Sequence, residues 1–340
     1  MAFCSSKAGP NDRVTEWAKP SHEALEQQLP GLGYPVVIRG MLDHWPVVKA
    51  AKHSEQALAD YLLRFDAGKP LLYYQTGSDA DTIGYNREFS GFTFTPEYGN
   101  LTDLLARIRD HNGGEGAYYL GSTNIRQYLP GFREENDLPF REVKPLVNFW
   151  MGNACQVSAH YDCPHNFACC VAGQRNFTLL PPEQVSNLYV GPLDLTPSGR
   201  AISLVDFNRP DLELYPNFTQ ALEAAQYVEL QPGDLLYIPP LWWHKVESRA
   251  PLNLLVNYWW RADQGYRGNP DLALEHAVLA LRGLPQAERQ AWRALFDHYI
   301  FGDPDQADRH IPEHIRGILN SEDEQAIRRG WVSFAKRLKS

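Results

Sequence analysis

The chain has 340 residues, enough for one large domain with an appendage or for two modest domains. Apolar residues make up 44% and charged residues 21%, which predicts a packed core and excludes extended disorder. The formal net charge of -9 argues against wrapping a phosphate backbone, so no nucleic-acid partner is expected, while a basic peptide stays open as a substrate.

Residues Met1 to Ser6 lack a long apolar stretch and are read as carrying no signal peptide. No run of about 18 apolar residues occurs, so no membrane-spanning helix is expected. The five cysteines, Cys4, Cys155, Cys163, Cys169 and Cys170, are odd in number, and free thiols in a reducing cytoplasm are the expectation. Cys169 and Cys170 are adjacent within an apolar stretch, Asn166 to Ala172, and read as small buried hydrophobes rather than zinc ligands.

In chain order, Pro35 to Arg39 reads as a short buried strand ended by Gly40. His53 to Phe65 has one helical face, with Leu58, Leu62 and Phe65. Thr76 to Gly99 is rich in Gly, Thr and Asp and predicts loops and hairpins; Leu101 to Ile108 is helical again. From about Gly116 short runs rich in Val, Phe, Tyr and Leu recur between Pro and Gly: Leu146 to Met151, Asn166 to Val171, Asn176 to Leu180, Tyr227 to Leu230, Leu235 to Ile238 and Leu252 to Trp260. Turns are expected at Ala172 to Gln174 and at Gln231 to Asp234. Many short strands at this spacing predict an antiparallel sandwich or barrel. After about Ala262 the pattern is helical: first around Leu272 and Leu279, then from Leu284-Pro285 to about Ile300 with Trp292, Leu295, Phe296 and Tyr299. Last comes a stripe of Ile327, Trp331, Phe334 and Leu338 behind a capping box of Ser321 and Glu324. The expected layout is a mixed segment over 1–115 packing on a β core over 116–262, followed by a helical region over 263–340.

His160 and Asp162 are two residues apart, so on an extended strand both point to one side. His244 follows much later, behind a Pro-Gly-Asp turn and an apolar run. Two histidines and one carboxylate can occupy one face of an octahedral iron(II), leaving the other positions for an oxoacid and dioxygen.

Ser158 to Asp162, Asn166-Phe167, Gly173 to Pro182, Pro232 to His244 and Val256 to Trp259 together resemble the JmjC/cupin-like oxygenases. The resemblance runs from about Pro35 to Trp260 and looks closest to the asparaginyl hydroxylase that modifies hypoxia-inducible factor. It implies a mainly β fold, a double-stranded β-helix with flanking helices, and iron(II) held by His160, Asp162 and His244. It also implies 2-oxoglutarate as cosubstrate and hydroxylation with release of succinate and carbon dioxide. Arg175 stands where the family commonly has a lysine for the distal carboxylate of the cosubstrate, and can serve as a bidentate fork. Tyr119 matches a tyrosine that contacts the same carboxylate, and Asn166 and Asn257 match asparagines near metal and cosubstrate. Trp259 is expected to pack under His244, and His165 to lie at the rim near substrate. Lys245 follows a ligand and should face away. Val157 stands where the family often has a threonine. The resembled hydroxylase grips its target amide with an Arg-Gln pair before a Val-Asp-Phe motif. Here Val205 to Phe207 keep the motif while Ala201 and Ile202 replace the pair, so asparagine is not carried over as the target.

The expected substrate is a side chain of a protein or peptide. A free small molecule is the alternative, and a metal-binding cupin without turnover is the alternative of another class. The resemblance also implies a homodimer built through the C-terminal helices.

Overall fold

The structure, a computed structural model, describes residues 13–338 apart from 79, 112–115, 142, 198, 262–266 and 321. It divides into two compact units, Met1–Trp260 and Arg261–Ser340. The first, called the body here, contains all fourteen described strands; the second, the tail, is helical.

Nine strands of the body form one sheet, in the order Thr15–Trp17, Val36–Ile38, Leu235–Ile238, His165–Ala172, Asn253–Trp260, Leu146–Gly152, Tyr118–Asn124, Leu71–Thr76 and Phe94–Gly99. Five form another: Gln226–Leu230, Arg175–Leu180, Trp243–Ser248, Cys155–Tyr161 and Thr82–Ile83. This corrects the expected double-stranded β-helix barrel. Among the described residues neither sheet closes on itself, and the protein is a mixed α/β fold of two open sheets with C-terminal helices. The strands were legible as strands. Closure depends on edge pairing between distant segments, which period-2 patterning does not encode. The segment before residue 116 also contributes strands to both sheets, including Thr82–Ile83 and the terminal pair Leu71–Thr76 and Phe94–Gly99.

An apolar cluster lies between the sheets, with Cys170, Leu236, Ile238 and Leu255 from the large one and Phe177, Leu179, Leu230 and Val246 from the small one. On the other face of the large sheet, Phe149, Met151, Phe167 and Tyr258 pack with Val47, Val48, Leu58, Leu62, Leu104 and Ile108 of three helices. His165–Ala172 is therefore buried on both faces, which is why it reads as a continuous apolar run instead of an alternation. The helix expected over 53–65 is two helices, Pro46–His53 and Glu55–Leu63. Ser54, extended at φ -170°, breaks them, and its hydroxyl accepts from Ala57 N at 3.0 Å.

The hairpin after His165–Ala172 turns at Gly173, with φ +76°. A Cβ there would stand 2.2 Å from Asn253 Oδ1, so only glycine fits. Asp234 closes the next expected turn by accepting from Gln231 N at 3.0 Å.

The tail has helices Pro270–Leu281, Gln286–Phe296, Pro304–Asp308 and Glu324–Arg337, with a π turn over Asp297–Phe301. Ser321, expected to cap the last helix, lies outside the described residues; Asp323 caps it, accepting from Ala326 N at 2.9 Å. Among the described tail residues only Ala307 and Ala326 are buried.

Candidate metal centre

The small sheet brings the three proposed ligands together. His160 sits near the end of Cys155–Tyr161, Asp162 lies one residue past that end, and His244 lies in the neighbouring strand directly opposite His160. Two residues before His160 the register slips: Ser158 and Ala159 together oppose Lys245, a bulge that re-aims the strand just before the ligand. Past the strand, Leu241 N donates to Asp162 O at 2.7 Å and ties the two ligand-bearing segments together. The donor atoms of His160, Asp162 and His244 all fall within 4.8 Å of one another, and the two imidazoles lie 4.3 Å apart between ring centroids.

Hydrogen bonds decide what each imidazole offers. His160 Nδ1 lies 2.9 Å from Ser158 O and His244 Nδ1 lies 3.0 Å from Trp242 O. A carbonyl can only accept, so Nδ1 carries the proton in both rings and Nε2 keeps its lone pair. His244 Nε2 faces Asp162 Oδ2 at 3.7 Å. Burial, reinforced by the nearby His160, pushes the His244 pKa down to about 4, so at neutral pH no proton bridges that gap. A buried acceptor, His244 Nε2, faces the half-buried Asp162 carboxylate, and a metal cation between them satisfies both. Asn166 Nδ2 donates to Asp162 Oδ2 at 3.3 Å and steadies the carboxylate.

Arg175, the first residue of its strand, is 3% exposed. One guanidinium nitrogen donates weakly to Trp150 O at 3.4 Å, Nε has no partner, and no carboxylate pairs with it among the described residues. Its neighbours stay neutral: burial pushes the Cys155 and Cys170 thiols up to about 12 and the Tyr119 phenol well above its ordinary value. A buried cation without a counter-charge is costly, and this one fits an anionic ligand such as a carboxylate.

Tyr119 packs its ring 6.2 Å from Trp150. Asn257 Oδ1 accepts from Trp150 Nε1 at 2.9 Å. Trp259 lies edge-on to Trp150 at 5.9 Å, and its Nε1 is buried without a partner, as is Asn166 Oδ1. Trp150 thus touches Arg175, Tyr119, Asn257 and Trp259. Nothing in the motifs marked it, because it reads as one more aromatic in a strand.

Residues 22–266 match the family described as the cupin-like domain. The chain belongs to this family. Among relatives of the cupin-like chain, Jumonji C domain-containing protein 5 of Drosophila melanogaster is 29% identical over 262 residues, covering 74% of this chain and 60% of the relative. Lysine-specific demethylase JMJ31 of Arabidopsis thaliana is 32% identical over 180 residues, 52% of this chain and 30% of the relative. HSPB1-associated protein 1 of Homo sapiens is 25% identical over 290 residues, 80% of this chain and 57% of the relative. The cupin-like chain spans at most about three-fifths of the length of these relatives. They tie it to the JmjC proteins at large and not to the asparaginyl hydroxylase in particular.

Other expectations sort clearly. His165 is not a rim residue: it is buried, stacked 5.2 Å from Trp260, with Nδ1 2.9 Å from Tyr237 OH, because it opens a strand of this cupin-like fold that is buried along its whole length. Lys245 does face away from the ligands, and its Nζ donates to Asn208 Oδ1 and Glu247 Oε1, each at 2.5 Å. Ala201 and Ile202 are buried, and Ile202 Cδ1 lies against Gly84 beside Ser158.

Proposed function

We propose that this chain is an iron(II)- and 2-oxoglutarate-dependent oxygenase that hydroxylates a side chain of a protein or peptide. The observation that carries this reading is a pair of complementary needs: the uncharged His244 Nε2 faces the Asp162 carboxylate with no proton between them, and the buried Arg175 cation has no carboxylate partner among the described residues. The His244 and Asp162 acceptors need a cation, and Arg175 needs an anion. Iron(II) with the keto acid meets both needs. When bound, the metal supplies oxidation by dioxygen, in which one oxygen atom enters a substrate C–H bond and the other enters succinate as carbon dioxide leaves.

The chain's own residues do the rest. His160, Asp162 and His244 hold the metal on one face. Arg175 receives the distal carboxylate, with Tyr119 beside it. Asn166 keeps the Asp162 carboxylate oriented, and Asn257 is held by Trp150. Trp259 Nε1 and Asn166 Oδ1 offer a donor and an acceptor to the cosubstrate or to a water. The demethylase name of the Arabidopsis thaliana relative favours a second reading, in which the same oxidation falls on an N-methyl carbon and the hydroxylated product releases formaldehyde.

Incubating the purified protein with iron(II), ascorbate, 2-oxoglutarate and lysate peptides should yield succinate and peptides carrying one added oxygen. Peptides that lose a methyl group instead decide for the second reading. Absence of succinate under all conditions sinks both. The exposed apolar residues of the tail, among them Leu279, Trp292, Leu295 and Phe301, support a homodimer paired through these helices. A monomer mass by light scattering at micromolar concentration counts against it.

A further inference from the structure

The segment that delivers His244 begins with a tight turn, Pro239-Pro240-Leu241-Trp242. Trp242 N donates to Pro239 O at 3.3 Å, and Leu241 has φ +65°. Proline at the second position and positive φ at the third make a type II turn, whose third position ordinarily calls for glycine or asparagine. Leucine carries a Cβ that disfavours this conformation. Burial recovers only part of that cost. Leu241 is 45% exposed, while Gly233 to Pro239 before it and Trp242 to Val246 after it are buried, Pro240 being half-buried. The turn itself is needed, because Leu241 N ties down Asp162 O. A glycine would make that hydrogen bond equally well. What the turn does not need is the isobutyl group, partly exposed on the residue whose backbone N–H ties down Asp162. Strain of this kind, only partly relieved by packing, points to a role outside the fold.

We propose that Leu241 is a specificity-determining residue: the apolar lip of the metal centre, against which a polypeptide substrate seats an apolar side chain close to the residue being oxidised. This rests on the polypeptide-oxygenase reading above and adds the class of sequence the site selects. The contact is non-directional, so it selects for apolar character near the target and against charge, which would be desolvated against leucine without a partner.

Two measurements test it. In the first, Leu241→Gly and Leu241→Asn are melted beside the parent protein. Relief of the turn should leave the melting temperature unchanged or raise it by about 2 °C. A fall of several degrees means that the side chain serves packing, and overturns the proposal. In the second, a pooled random-sequence peptide library is incubated with the full chain, iron(II), ascorbate and 2-oxoglutarate, and oxidised peptides are sequenced by mass spectrometry. The parent protein should enrich apolar residues at one fixed offset from the oxidised position roughly tenfold. Leu241→Asn should erase that enrichment and Leu241→Met should keep it. Oxidised peptides without an apolar preference overturn the role of Leu241 and leave the oxygenase reading standing. Succinate formation with no peptide oxidised removes the polypeptide reading, and the role of Leu241 with it.

Discussion

The body and the tail treat large apolar side chains in opposite ways. In the body, Trp45, Trp243, Tyr237, Tyr258, Phe149 and Phe167 are almost fully buried. In the tail, Trp292, Leu295, Tyr299, Ile300, Phe301 and Val332 are exposed, and its described buried residues are two alanines. The difference follows from hydrogen bonding. A strand satisfies its backbone only against another strand, so assembling the body's sheets also assembles layers that bury side chains. A helix satisfies its backbone internally and can be complete while its apolar stripe faces nothing. The body can therefore hold groups rigidly enough to strip them of water, as it does at His244 and Arg175. The tail offers surface instead.

Substitutions in the two units should then differ in kind. The largest effect is expected at the ligands. His160→Ala, Asp162→Ala or His244→Ala should reduce 2-oxoglutarate turnover to background while circular dichroism stays that of the parent. Near-normal succinate release from His244→Ala would remove the metal assignment and, with it, the functional meaning of the buried body.

Next is acid sensitivity. His244 has its pKa pushed down to about 4 in the folded body against 6.5 ordinarily. Between those values the unfolded chain takes up a proton that the folded chain refuses. Stability from this group is thus undiminished above pH 6.5, falls as the pH drops toward 4, and is flat below. The loss is on the order of 3 kcal/mol. Urea melts of the metal-free protein at several pH values should show this slope, and His244→Ala should flatten it. Identical slopes in both proteins would mean that His244 is not held neutral by burial.

At Arg175 the expected loss is about one to two decades in apparent affinity for 2-oxoglutarate, from a charge-assisted contact of roughly 1.5–3 kcal/mol. Steady-state kinetics of Arg175→Ala should show the Michaelis constant for 2-oxoglutarate rising with iron affinity retained, and Arg175→Lys should recover part of it. An unchanged constant moves the anchor elsewhere, with Tyr119 the next residue to replace.

The smallest effect belongs to the tail. Asp323→Ala removes the cap of helix Glu324–Arg337 at a cost of about 1 kcal/mol. Hydrogen exchange should speed up several-fold over that helix and nowhere in the body. Faster exchange in the strands around His160 would mean that the two units unfold together and that the contrast between them is one of appearance.

The sequence alone determined the parts that rest on local chemistry. The strand Leu235–Ile238, the turn at Asp234, the helix at Leu101 and the His-x-Asp spacing all follow from short-range pattern, turn residues and side-chain direction. The ordered motifs from Ser158 to Trp259 were specific enough to identify the kind of site. Tertiary structure decided what depends on distant segments meeting. It placed His244 opposite His160, slipped the register at Ser158 and Ala159, and left both sheets open where a barrel was expected. It drew His165 into the core, put Trp150 among Arg175, Tyr119, Asn257 and Trp259, and left Leu241 exposed in a glycine's conformation. Burial and edge pairing are sums over contacts between residues far apart in the chain, and no local pattern carries them.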